Sequence, residues 1–136
     1  MIPYCEFAGV ARMPWSPLAR GVLARPWTER STLRERTDRY VKAAIRDVET
    51  ETDEVIVGRV EEVAAKHGVS MACIALAWCL KKGEIPIVGL SSVERADETA
   101  RNARFELSDE DAAYLEEPHR PKAISGFDGN NDWRRG

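Results

Sequence analysis

Ile85-Pro86-Ile87-Val88-Gly89-Leu90-Ser91-Ser92 is the stretch on which the fold turns. It is an apolar run closed by a glycine, with helical patterns on both sides. Such a run is typical of a parallel strand buried on both faces, and Pro86 is tolerable only near its start. Ser91 and Glu94 then form the S-x-x-E pattern of a capping box. They predict a helix whose buried stripe is Val93, Ala96, Ala100 and Ala103. Ser108 and Asp111 repeat the signature for a last helix, which Pro118 ends.

Upstream, Ser70 caps a helix with Met71, Ile74, Ala75, Trp78 and Cys79 on one face, and Lys81 and Lys82 sit at the negative end of its dipole. Asp53 is the expected cap of the preceding helix, whose apolar face is Ile56, Val60, Val63, Ala64 and His67. Gly68 ends that helix. Residues 28–54 are densely charged and weakly periodic. They read as a solvated loop with a helical piece around Tyr40 to Arg46, and a loop of that length is usually functional or disordered. Val10 to Trp15 is the second strand candidate, preceded by a short helix that Pro3 opens and Gly9 stops. Trp15-Ser16-Pro17-Leu18-Ala19-Arg20-Gly21 after it is a loop punctuated by proline and glycine. Residues 121–136 read as an irregular tail.

Strands alternating with helices predict an α/β fold with parallel strands. Two such strands alone would each expose an edge. The chain therefore reads as part of a larger sheet, and alone it is expected to oligomerise or aggregate through those edges.

The 136 residues amount to 15.3 kDa, with 20 Lys+Arg against 23 Asp+Glu and a net charge of −3. That balance argues against a nucleic-acid surface, which needs a basic excess. With 43% hydrophobic and 32% charged residues the composition is that of a soluble globular chain. No apolar run has the length to span a bilayer, and residues 1–6 lack the pattern of a signal peptide. Cys5, Cys73 and Cys79 have no CxxC spacing, which disfavours a zinc site or a disulfide framework. Reduced thiols in a cytoplasmic protein are the expectation.

The segment with the most chemical content is Gly89-Leu90-Ser91-Ser92. A strand ends, a glycine permits close approach, hydroxyls follow and helix N–H groups point outward, which makes an anion site. One turn in, Arg95 adds a guanidinium suited to phosphate. An ordinary strand-to-helix turn with serine caps is the alternative at this point. The loop Trp15 to Gly21 stands in the matching position after the other strand, where α/β folds place ligands. In a (β/α)8 barrel the loops after the last two strands often build the phosphate site.

These same residues carry a family resemblance. Pro14-Trp15-Ser16-Pro17-Leu18-Ala19-Arg20-Gly21 resembles the seventh-strand segment of aldo-keto reductases, and Ile85 to Ser92 with Arg95 and Glu98 resembles their eighth-strand cofactor motif. Val69 to Trp78 is similar to the family's seventh helix. Glu117-Pro118-His119-Arg120-Pro121 with Gly126-Phe127 resembles the C-terminus of one subgroup. The resemblance implies the C-terminal part of a (β/α)8 TIM barrel, strands seven and eight with their helices, over residues 1–127, with 128–136 as a tail. It also implies an NADP cofactor. Ser16, Leu18 and Gly21 would touch the ribose and pyrophosphate, and Gly89, Ser91 and Arg95 the adenosine 2′-phosphate side. Glu98 would meet the adenine. Thr99 stands where the family often has Asn, which weakens that contact. An arginine of the charged loop, Arg34 or Arg36, would clamp the pyrophosphate. Arg20 joins these arginines around one dinucleotide.

The family's Tyr general acid and the Lys, Asp and His that tune it have no matching residues here. Tyr4, Tyr40 and Tyr114 lie elsewhere in the pattern, and His67 and His119 read as structural. A barrel takes about 250 residues, so the chain is expected to be truncated at its N-terminus and to lack reductase activity alone. The full protein would reduce a small aldehyde or ketone with NADPH. The alternatives are a non-catalytic NADP-binding or subunit-interaction module, and a helical interaction protein that shares only short patterns with the family.

Overall fold

Thr50 opens the longest helix in the computed structural model, which describes residues 1–29 and 50–121. The Thr50 N–H donates to the Asp53 carboxylate at 2.7 Å. Thr50 is therefore the N-cap and Asp53 the residue that reaches back to it, not the cap itself. The elements are α1 (Ile2–Ala8), a 3-10 segment (Ala19–Ala24), α2 (Glu51–His67), α3 (Met71–Lys81), α4 (Val93–Asn102) and α5 (Asp109–Glu116). The expected helical piece at Tyr40 to Arg46 and the tail from 122 onward lie outside the described residues, as do Arg34 and Arg36.

Helix α2 ends where expected. Gly68 is left-handed at φ 64°, its N–H donates to Ala65 at 3.2 Å, and the Val69 N–H donates to Ala64 at 3.1 Å. This pair of bonds is a Schellman motif, which satisfies two carbonyls that have no partner inside the helix. The chain then turns by 100° into α3. Ser70 caps α3, accepting from the Cys73 N–H at 3.2 Å. Met71, Cys73, Ile74, Ala75, Leu76, Ala77 and Cys79 are all buried. Val57, Val60, Val63 and Ala64 of α2 pack against Met71, Ile74 and Ala77, together with Leu107, Ala112 and Leu115 from the chain around α5. The buried residue at the start of the α2 face is Val57, and Ile56 is only half-buried. No single helix among the described residues is long and apolar enough to cross a membrane.

Two larger sequence expectations also fail. The described residues are helical and contain no strand, so they are not strands seven and eight of a barrel. Residues 10–15 and 85–89 pair only through two isolated parallel bridges, Arg12 with Glu84 and Trp15 with Ile87. The Ile85 N–H donates to Arg12 at 2.8 Å and the Ile87 N–H to Pro14 at 3.1 Å. Pro14 has no N–H to return the bond that would join the two bridges into a ladder. Nor are the segments buried on both faces: Met13, Trp15, Ile85 and Ile87 are exposed. The second failure is α4, which buries no residue. Val93 is 73% exposed, and Ala100 and Ala103 are exposed. The half-buried residues are Ala96, Glu98, Thr99 and Asn102, so the partly covered face is mainly polar.

Polar ties fasten α5. Asp111 is buried, and its carboxylate accepts from Lys66 Nζ at 2.7 Å and from the Ser108 hydroxyl at 2.9 Å, and meets His67 Nε2 at 2.8 Å. Ser108 in turn caps α5 through the Asp111 N–H at 3.0 Å. His67 also stacks edge-on against Phe105. At the other end of α5, Glu116 accepts from Trp78 Nε1 at 2.7 Å and pairs with Lys82 at 2.6 Å.

Lys66 and His67 hold the Asp111 carboxyl at about 2, well below its ordinary 3.8. A carboxyl whose pKa is lowered by folding stabilises the native state above its unfolded pKa. That stabilisation is lost as pH falls through the native value. Urea midpoints should therefore drop between about pH 4 and pH 2 by the equivalent of roughly 2 kcal/mol. Asp111→Asn should lower stability at neutral pH and flatten that acid limb. Ile74, fully buried, should cost about 3 kcal/mol on truncation to alanine in the same titration.

Candidate functional site

The loop after Trp15 is held in an uncommon backbone shape. Ser16, Ala19 and Arg20 have φ of 55°, 46° and 55°, and Gly21 has φ 105°. Left-handed backbone is costly for residues with a side chain, so surrounding contacts must hold it. The Ala19 N–H donates to Ser16 and the Gly21 N–H to Leu18, both at 2.8 Å. Just downstream, Val22 and Leu23 pack onto the helical core. Ser16, Leu18 and Gly21 are half-buried. The Arg20 guanidinium lies 5.0 Å from the centre of the Trp15 ring, an arrangement that composition and spacing could not reveal.

The second loop leads into α4. Gly89 is exposed, and a Cβ added to it would meet nothing within 4 Å beyond its chain neighbours. The helix cap is Ser92, which accepts from the Arg95 N–H at 3.3 Å. Ser91, the expected cap, instead accepts from Arg95 Nη1 at 3.0 Å. This bond orients an exposed guanidinium at the first turn of the helix. Glu94 uses its own backbone N–H and the Ser92 hydroxyl to hold its carboxyl below the usual range. Glu98 accepts from the Ser70 hydroxyl at 3.0 Å, and Thr99 is half-buried beside it.

The two parallel bridges relate these loops. Because Arg12 to Trp15 and Glu84 to Ile87 run in the same direction, the loops that follow them leave from the same end of the pair. Arg12 secures the opposite end. Its Nε donates to Glu84 at 2.7 Å, its Nη2 to the Lys82 carbonyl at 2.9 Å and its Nη1 to Glu6 at 3.3 Å. Ser16, Leu18, Gly21, Gly89, Ser91, Arg95, Glu98 and Thr99 thus all follow one end of the bridged pair. Arg36 lies outside the described residues.

The remaining reactive groups have other surroundings. Burial pushes the Cys73 and Cys79 thiols up, with Glu98 adding to the effect on Cys73. Thiols of that kind are poor nucleophiles. Tyr4 is exposed on α1. The Tyr114 hydroxyl donates to Glu62, and Arg59 covers the ring. An open cleft of about 280 Å3 is lined by Glu62, Val63, Lys66, Glu110, Asp111 and Tyr114 and contains no candidate cofactor residue. Among the described residues no three His, Cys, Asp or Glu side chains gather where they could hold a metal ion.

Comparison with known proteins agrees with the motifs. The profile of the Aldo/keto reductase family matches residues 1–119. Versiconal hemiacetal acetate reductase of Aspergillus parasiticus is 53% identical over 125 residues, covering 91% of this chain and 36% of that protein. An inferred aryl-alcohol dehydrogenase of Schizosaccharomyces pombe is 46% identical over 127 residues, covering 93% and 38%. The aldo-keto reductase AMT2 of Alternaria alternata is 41% identical over 127 residues, covering 93% and 34%. This chain belongs to the aldo/keto reductase family, whose members are oxidoreductases that generally use a nicotinamide cofactor. It spans about a third of the length of the curated relatives it matches.

Gly21 tests the strained loop. Its φ of 105° disfavours any side chain, and an added Cβ would meet Arg25 Nη2 at 2.9 Å. Gly21→Ala should destabilise the chain by about 1–3 kcal/mol in urea unfolding. Gly89→Ala, in open space, should change it by less than about 0.5 kcal/mol.

Proposed function

We propose that this chain is the C-terminal, cofactor-binding part of an NADP-dependent aldo-keto reductase, and that the whole protein reduces an aldehyde or ketone. The observation that carries the reading is the parallel pairing that sends the Ser16–Gly21 and Gly89–Ser92 loops from one end, in a chain that the family profile matches. The residues fit the cofactor's anionic parts. An exposed guanidinium held by Ser91, beside the N-terminus of α4 and an open Gly89, suits a phosphate.

In this reading Arg95, Ser91 and Gly89 bind the adenosine 2′-phosphate side and Glu98 with Thr99 the adenine. Ser16, Leu18 and Gly21 bind the ribose and pyrophosphate, helped by Arg36. The bound cofactor supplies hydride donation to the carbonyl carbon. In this reading the proton for the developing alkoxide comes from a residue outside this chain: Tyr4 is exposed on α1 and the Tyr114 hydroxyl is taken up by Glu62, while Tyr40 lies outside the described residues. Three thiols free of disulfides support a cytoplasmic setting.

Arg95→Ala should weaken NADP+ binding at least tenfold and NAD+ binding by less than about threefold, because only NADP+ carries the 2′-phosphate. Calorimetric titration of the chain checks this, and equal losses for both nucleotides would remove the phosphate assignment. The chain alone should not oxidise NADPH in the presence of nitrobenzaldehyde. Measurable turnover would place a proton donor within it.

A further inference from the structure

The serine that caps α3 makes a second bond that capping does not require. Ser70 Oγ accepts from the Cys73 N–H at 3.2 Å and donates its one proton to Glu98 Oε1 at 3.0 Å. The other carboxylate oxygen, Oε2, makes no hydrogen bond among the described residues. Helix α4 buries no residue, and Glu98 is only half-buried, so packing alone constrains its side chain weakly. The bond from Ser70 holds it at little entropic cost, because its donor is already fixed as a helix cap.

We infer that Ser70 is a positioning residue for recognition of an aminopurine base: it holds one oxygen of Glu98 and leaves the other to accept from the base's exocyclic amine. This rests on the reading of Glu98 as the adenine contact. A carboxylate accepts from an amine and repels a carbonyl oxygen, so the arrangement discriminates adenine from hypoxanthine. Without the tie, Glu98 can swing into solvent and the discrimination weakens, while phosphate binding through Arg95 persists.

The test is calorimetric titration of the full chain with NADP+ and with its hypoxanthine analogue. The wild-type chain should prefer NADP+ by about tenfold, the scale of a hydrogen bond to a charged group. Ser70→Thr keeps both cap and donor and should keep the preference. Ser70→Gly and Ser70→Asp also cap helices but offer no proton to Glu98. Each should reduce the preference to within about twofold, and whichever of the two unfolds least on substitution carries the comparison. An unchanged tenfold preference in that variant would make Ser70 a helix cap and nothing more, and would overturn the inference while leaving Glu98 as the adenine contact. A wild-type chain with no preference, or no binding of NADP+, would instead overturn the reading of Glu98, and the role of Ser70 with it.

Discussion

Helix α3 cannot be exposed to water, and the rest of the structure is arranged around that constraint. Seven of the eleven residues in Met71–Lys81 are buried, and Ile74 is wholly so. A helix apolar on nearly every side gains little from one partner. It is covered by α2 from one direction, by Leu107, Ala112 and Leu115 from another, and by Val22 and Leu23 of the 3-10 segment. The last contact links packing to the candidate site, because it anchors the chain just beyond the strained Ser16–Gly21 loop.

Polar groups then settle what burial leaves loose. Apolar packing is non-directional, whereas Asp111 requires three specific donors to be tolerated in the interior. Lys66, His67 and Ser108 supply them, and so bind the end of α2 to the start of α5. Arg12 does the equivalent for α1 and the turn after α3. Helix α4 lacks an apolar anchor, and it carries the residues proposed to meet the adenine and phosphate. Its hold on α3 includes the bond from Ser70 to Glu98.

The position of the two candidate loops was more legible than the strand character of the segments before them. Motif order pointed to two loops that follow apolar segments, and the parallel bridges do bring those loops out at one end. Individual roles shifted by one residue: Ser92, not Ser91, caps α4, which frees Ser91 for Arg95. Adjacent serines have equal capping propensity, and only the exit angle of the chain separates them. The link between Ser70 and Glu98 had no signal in the sequence, since it joins residues far apart in the chain.

Where α2, α3 and α5 lie, with their caps to within three residues, is local information that the sequence carries. The local signals behind α2, α3 and α5 (caps, left-handed glycines and apolar spacing) act within a few residues, and each is read from its own neighbourhood. Strand character is not local. An apolar run becomes a strand only when a neighbour completes its hydrogen-bond ladder. Tertiary structure decided that residues 10–15 and 85–89 touch at two bridges and stay largely exposed, because Pro14 has no N–H to give and no further segment among the described residues pairs with them. It also decided which face of α4 turns inward, because that depends on what α3 presents to it.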